Sequence, residues 1–218
     1  MFKNVSVPRQ WVGILRALQT TLPTPAILHG GALRDLTLGK TERVKDLDIA
    51  VCVPKHYEGH YANFVLYKLY DALGWKHVER KKRQAHTYMN VPNLVTVIDF
   101  EHPSFGIPVQ ICLYDYSENW FGRTIINNND FGMNQVGFDG NKFLYTPAFE
   151  RDVSTKTFTA LKFKVRGQAE NAIKRANDWK YSGAFKGFNF DVSRAHRFLK
   201  DNPEVEVATG DTFAELFN

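Results

Sequence analysis

ILHGGALRDLTLGKTERVKDLDIAV, residues 27–51, sets a double glycine (Gly30, Gly31), an Arg34-Asp35 pair and a D-x-D (Asp46, Asp48) in a fixed order. Asp46 and Asp48 stand in an apolar run, KDLDIAV, where a buried charge is costly unless it is paired or bound to metal. Carboxylates two positions apart on a strand share a face. Such a pair can hold a hard divalent cation, Mg2+ or Mn2+, between protein oxygens and the oxygens of a nucleoside triphosphate. Glycines ahead of a helix allow backbone to approach phosphate closely. These pieces lie on consecutive elements and can converge, which points to nucleotidyl transfer.

Outward from this stretch, apolar residues at 11, 12, 14, 15, 18 and 22 predict a helix over 11–22, stopped by Pro23 and Pro25. Residues 26–28 read as a short buried strand, 32–38 as a helix ended by Gly39, and 47–53 as a strand closed by Pro54. A strong helical period spans 61–73. Strands are expected at 85–89, 94–100 and 108–114, the last two joined as a hairpin through HPSFGI. A turn-rich region runs from Asn127 through GFDGNKFLYTP, one or two helices cover 159–179, a short helix covers 192–199, and a terminal turn is expected at 212–217. The pattern predicts an α+β domain, a small mixed sheet flanked by helices, with a short helical C-terminal part.

With 218 residues and 44% apolar content the chain has material for one ordinary core, and its 17 Phe are read as mostly core. Its net charge of +5 permits a polyanionic partner. The basic excess is uneven: KHVERKKR at 76–83 and the cations Lys162, Lys164 and Arg166 stand against an acidic C-terminus. Either cluster can meet a nucleic-acid backbone or simply face solvent. Cys52 and Cys112 lie in apolar runs and read as buried thiols, and no zinc spacing links the seven histidines. No stretch has membrane-spanning length, so a cytoplasmic setting is the expectation (a host's cytoplasm if the chain is viral). Gly39-Lys40-Thr41 mimics the end of a P-loop, but Arg34 stands where that loop needs its first glycine.

The order G-G-x-x-R-D-x-x-x-G followed by D-x-D, here Gly30, Gly31, Arg34, Asp35, Gly39, Asp46 and Asp48, resembles the head domain of class II CCA-adding enzymes and bacterial poly(A) polymerases. These belong to the polymerase-beta-like nucleotidyltransferase superfamily. The segment NNDFGMNQ, 128–135, is similar to a second family motif in Asp130, Phe131 and Asn134, with Asn128 and Asn129 in place of two arginines; DVSTK, 152–156, matches a D-x-x-x-K. The likeness covers about 26–156 and implies a head domain over 1–158 with 159–218 as a helical extension packed on it. It implies Asp46 and Asp48 as catalytic metal ligands, Gly30, Gly31 and Arg34 at the triphosphate, and Asp130 with Asn134 at the nucleoside side. It also implies a third acid on a neighbouring strand. Gln110 occupies that natural position, and Asp99 is the alternative if its strand is adjacent.

Two readings of Arg34 stand open, a triphosphate contact and a structural pair with Asp35 or Asp48. His29 has two as well, a substrate contact and a local structural role. The expected activity is metal-dependent transfer of a nucleoside monophosphate from an NTP to an RNA 3' end, tRNA-like. The alternatives are a protein or small-molecule acceptor, or a binding module without catalysis.

Overall fold

In the computed structural model, residues 5–22, 24–53, 64, 67, 68, 93–100, 106–115 and 121–203 are described. The expected elements at 85–89 and 212–217, most of the helix at 61–73 and the basic run at 76–83 lie outside them.

The amphipathic period of the N-terminal segment forms α1 (Arg9–Thr21), whose Trp11, Ile14, Leu15 and Leu18 are buried. Strand β1 (Ala26–His29) leads through Gly30 into α2 (Gly31–Thr37). Gly30 has φ +80, which glycine adopts without the steric cost that a Cβ brings. Gly39, at φ +67, ends the helix: its N–H bonds Leu36 O, and Lys40 N–H bonds Asp35 O. A single 3-10 turn (Thr41–Arg43) precedes β2 (Leu47–Cys52).

Strands β3 (Leu94–Phe100) and β4 (Val109–Tyr114) are antiparallel neighbours, as the hairpin reading required. The region read as turns contains more order: α3 (Phe121–Asn127), a 3-10 turn (Gly132–Asn134) and a hairpin of β5 (Val136–Phe138) and β6 (Phe143–Tyr145). These strands are three residues each, too short to register as a period. Helix α4 (Pro147–Thr155), capped by Thr146 Oγ1 accepting from Phe149 N–H, also escaped the reading. The helix expected from 159 begins later. Thr157–Thr159 is β7, and only Arg166–Tyr181 is helical, as α5. Strand β8 (Asn189–Asp191) pairs in parallel with β7, and α6 (Ser193–Asp201) follows.

The sheet order is β3-β4-β2-β1-β5-β6, mixed because β2 and β4 are parallel. One face carries the main core, including Leu28, Ile49, Val51 and Ile111 against α1. The other carries Ile27, Ala50, Cys52 and Cys112, covered by Phe121, Ile125 and Ile126 of α3. A third cluster joins Phe131 and Met133 to Phe158, Ala172, Ala176 and Phe185, so α5 is packed on the sheet domain by burial of aromatic surface. The chain is thus a small sheet flanked by helices with a helical C-terminal region. No helix among the described residues is long and apolar enough to cross a membrane.

Asp152 fastens the junction. Fully buried, it accepts from Thr159 N–H and Thr159 Oγ1, both at 2.9 Å, and from Arg151 at 2.8 Å. A Cβ on Gly132 would lie 2.5 Å from Asp152 Oδ2 and 3.2 Å from Ala148 O. Gly132→Ala is therefore expected to lower stability by about 1–3 kcal/mol through overpacking. Urea unfolding checks this, and an unchanged midpoint would show that the contact relaxes freely.

Candidate nucleotide site

The sheet register builds one polar row. Asp99 of β3 pairs with Gln110 of β4, Gln110 with Asp48 of β2, Asp48 with His29 of β1, and His29 with Gly137 of β5. Directly paired residues project to the same face. The row therefore lies on the face covered by α3, whose Ile126 reaches Gly137 at the β5 end.

Asp48 is half-buried at the start of β2. Asp46 precedes the strand and is exposed, so it is a rim residue and not the buried charge that its apolar neighbours suggested. Leu47, between them, is fully buried and pins the stretch. A Cβ at Gly30 would stand 3.1 Å from Asp48 Oδ2, so the glycine lets the carboxylate pack close to the backbone.

Asp99 is separated from Asp48 by a whole strand, roughly 10 Å across the sheet at the usual strand spacing. The condition that its strand adjoin β2 is not met. Gln110 Nε2 donates to Asp99 Oδ1 at 2.9 Å, while Gln110 Oε1 accepts from Cys112 Sγ at 3.7 Å. Gln110, not an acid, is thus Asp48's cross-strand neighbour. Among the described residues no three His, Cys, Asp or Glu side chains are placed to hold one metal ion.

A cleft of about 440 Å³ opens between α2, the turn after it and α5, reached by Asp46 of the D-x-D and not by the residues of this row. Gly31, Arg34, Asp35, Lys45 and Asp46 line one side; Arg175, Asp178 and Trp179 line the other. Arg34 is buried and donates from Nε and Nη2 to Asp35 at 2.8 and 3.0 Å, and from Nη1 to Asn134 Oδ1 at 2.9 Å. Its guanidinium also lies 5.1 Å from the Phe185 ring and 5.2 Å from Trp179. Of the two readings of Arg34, the pair with Asp35 is present. Asp130 pairs with Arg175. Asp130 and Asn134 each hold an arginine that lines the cleft, and neither lines it directly.

Arg43, Lys45, Asp178 and Trp179 went unnoticed in the sequence as site residues. Arg43 donates to Ala184 O at 2.8 Å and lies over Phe185 at 4.8 Å. Their only local signal was polarity within helical or turn stretches. Asn129, where the resembled motif has arginine, donates from Nδ2 to Asn134 O at 3.0 Å and steadies that turn.

His29 is 8% exposed, and among the described residues neither ring nitrogen has a hydrogen-bond partner. Burial lowers its pKa from 6.5 to about 4. The folded chain keeps the imidazole neutral, so the unfolded chain binds more protons between these two values. This contribution to stability is complete above pH 6.5 and is lost as pH falls toward 4. Between pH 7.5 and pH 5 the loss is about 2 kcal/mol. His29→Leu is expected to remove that part of the pH dependence. Urea midpoints at the two pH values, in chelator, test it, and an identical pH dependence in wild type and variant would refute it.

No family model and no curated protein matches the sequence. Solved structures do match. A CCA-adding enzyme in complex with ATP superposes with a TM-score of 0.64 at 13% identity, over 92% of this chain and 45% of that one. A tRNA-processing enzyme in an apo form gives 0.57 at 15%, over 90% and 48%. The Thermotoga maritima CCA-adding enzyme complexed with tRNA gives 0.55 at 14%, over 91% and 45%. At 13–15% identity the likeness is one of fold: the chain shares the fold of these CCA-adding and tRNA-processing enzymes. The chain spans less than half the length of each of these three proteins.

Proposed function

We propose that this chain is a divalent-metal-dependent nucleotidyltransferase that moves a nucleoside monophosphate from an NTP to an RNA 3' end, tRNA-like in kind. The observation that carries the reading is the pair of aspartates: Asp48 held at the entry of a central strand against Gly30, and Asp46 lining a cleft with Arg43, Lys45 and Arg175. The complexes of similar folds with ATP and with tRNA support NTP and RNA as partners. Residues 1–158 are the head that carries the chemistry, and 159–218 are an extension packed on it.

Hard carboxylate oxygens suit Mg2+ or Mn2+, which Asp46 and Asp48 would hold. Such an ion would neutralise phosphate charge and favour the ionised form of the attacking hydroxyl. Arg43 and Lys45 face the triphosphate, while Arg34 and Arg175, fixed by Asp35, Asn134 and Asp130, shape its pocket. Asp99 acts through Gln110 as a positioning residue. The acceptor oxygen forms a bond to the α-phosphorus, the α–β bridging P–O bond breaks, pyrophosphate departs, and the hydroxyl proton passes to solvent.

Incubation with each α-labelled NTP, Mg2+ or Mn2+ and total RNA tests the reading. Label is expected in RNA. Label in protein would redirect the acceptor, and bound NTP with no label in any acceptor would leave a module without turnover. That second reading is favoured by Gln110 standing where an acid is expected.

A further inference from the structure

A second cavity, of about 530 Å³, lies between the segment after β7 and helix α6. Lys162 and Lys164 contribute from one wall, Arg194 and Arg197 from the other, and Asp201 is the one acid in the lining. All four cations are exposed. In the sequence they stand 30 residues or more apart across the groove, and neither pair alone exceeds ordinary surface polarity. Between them Phe163 and Phe198 also line the cavity, half-buried, with ring centroids 5.9 Å apart. A groove of cations tracking a backbone, with aromatic faces at its floor, is the arrangement that takes single-stranded nucleic acid: phosphates meet the cations and bases stack on the rings.

The walls are anchored. Leu161 N–H bonds Asp130 O at 2.7 Å, and Asp130 also holds Arg175 of the nucleotide cleft. Lys164 N–H bonds Gln168 Oε1 at 2.8 Å, and Arg166 Nη1 donates to Asn202 O at 3.2 Å, tying the start of α5 to the end of α6. Lys164 lies two residues before α5, and Arg175 lies nine residues beyond that helix's first residue. At 1.5 Å per residue the two sites are on the order of 15 Å apart along α5. A short run of nucleotides can bridge them.

We propose that this groove binds the single-stranded part of the RNA acceptor upstream of its reacting end. The proposal rests on the RNA-acceptor reading given above. A phosphate track also accounts for cations that the nucleotide cleft does not use.

Fluorescence anisotropy of a labelled single-stranded 12-nucleotide RNA on the full chain, over a salt series, tests it. Lys164→Gln with Arg197→Gln is expected to weaken binding roughly tenfold and to lower the slope of log affinity against log salt by about 1.4. Phe198→Leu keeps the apolar packing and is expected to lose about fivefold or more through stacking. Binding of α-labelled NTP should be unchanged in both variants, which also reports their folding. RNA affinity equal to wild type in the double variant would overturn the proposal. So would loss in the double variant with none in Phe198→Leu and full competition by polyglutamate, which marks a groove for acidic protein. If wild type binds no RNA yet labels another acceptor, the groove proposal fails while nucleotidyl transfer stands. Groove-dependent RNA binding without any transfer keeps the groove as an RNA site but overturns its assignment to an acceptor.

Discussion

Asp46→Asn together with Asp48→Asn is expected to cut single-turnover nucleotide transfer by on the order of 10³-fold or more, while the protein stays folded. The reason is charge, not shape. Asparagine has the size of aspartate but carries no formal charge, so a hard cation held against triphosphate oxygens loses its protein ligands. Loss of a preorganised electrostatic contact in a transition state costs about 3–4 kcal/mol, and here two are removed. The fold tolerates the change because Asp46 is exposed and Asp48 half-buried, with the strand held by the fully buried Leu47 and Ile49. Of the two single variants, Asp48→Asn should be the more severe, since its side chain is set by strand register beside Gln110 and His29. Thermal melting would be measured beside activity. A folded double variant with full metal-dependent turnover would remove the proposed chemistry.

Arg34→Met is expected to lower stability by about 3–5 kcal/mol, a large share of the roughly 5–15 kcal/mol typical of a domain. Asp35 is 3% exposed, and the substitution strips the fork that binds both its oxygens. A buried carboxylate would be left uncompensated, Asn134 Oδ1 would lose its donor, and the guanidinium would leave the aromatic cluster formed with Trp179 and Phe185. Arg34→Lys keeps a charge but not two parallel bonds, so an intermediate loss is expected. The informative comparison is the double variant Arg34→Met, Asp35→Leu. Replacing both partners by apolar groups can be nearly neutral where removing one is costly. Urea unfolding should therefore find the double variant more stable than Arg34→Met alone. Additive losses would mean that each residue acts through separate contacts.

The legible part of the fold was the part with long, regular patterns. The helical period of α1, the alternation and apolar runs of β2, β3 and β4, and the glycine ending α2 all appear within about two residues of their observed positions. Missed elements have specific causes. β5 and β6 hold three residues each, and α4 begins at a proline that reads equally well as a turn. The helical stretch over 159–179 was drawn too long because the chain stays extended beyond β7: Ala160 N–H bonds Asp191 O and Leu161 N–H bonds Asp130 O, both partners distant in sequence.

For the site the division is sharper. Local chemistry in residues 27–51 marks Gly30, Gly31, Arg34, Asp46 and Asp48 as a group, because close approach, charge and strand alternation are properties of neighbouring residues. Which residue stands across from Asp48 is a property of strand order, and strand order depends on long-range pairing that leaves no local trace. Sheet register puts Gln110 there, the position that the family resemblance gave it, and sets Asp99 one strand further away. Packing of α5 onto Phe131, Met133 and Phe158 brought Arg175 and Trp179 to the cleft, and Asp130 and Asn134 became the holders of arginines. The same packing set Lys162 and Lys164 opposite Arg194 and Arg197, joining two unremarkable basic stretches into one groove. Burial of the Phe131, Phe158 and Phe185 cluster drives that approach, and the resulting neighbours exist only once the chain has closed.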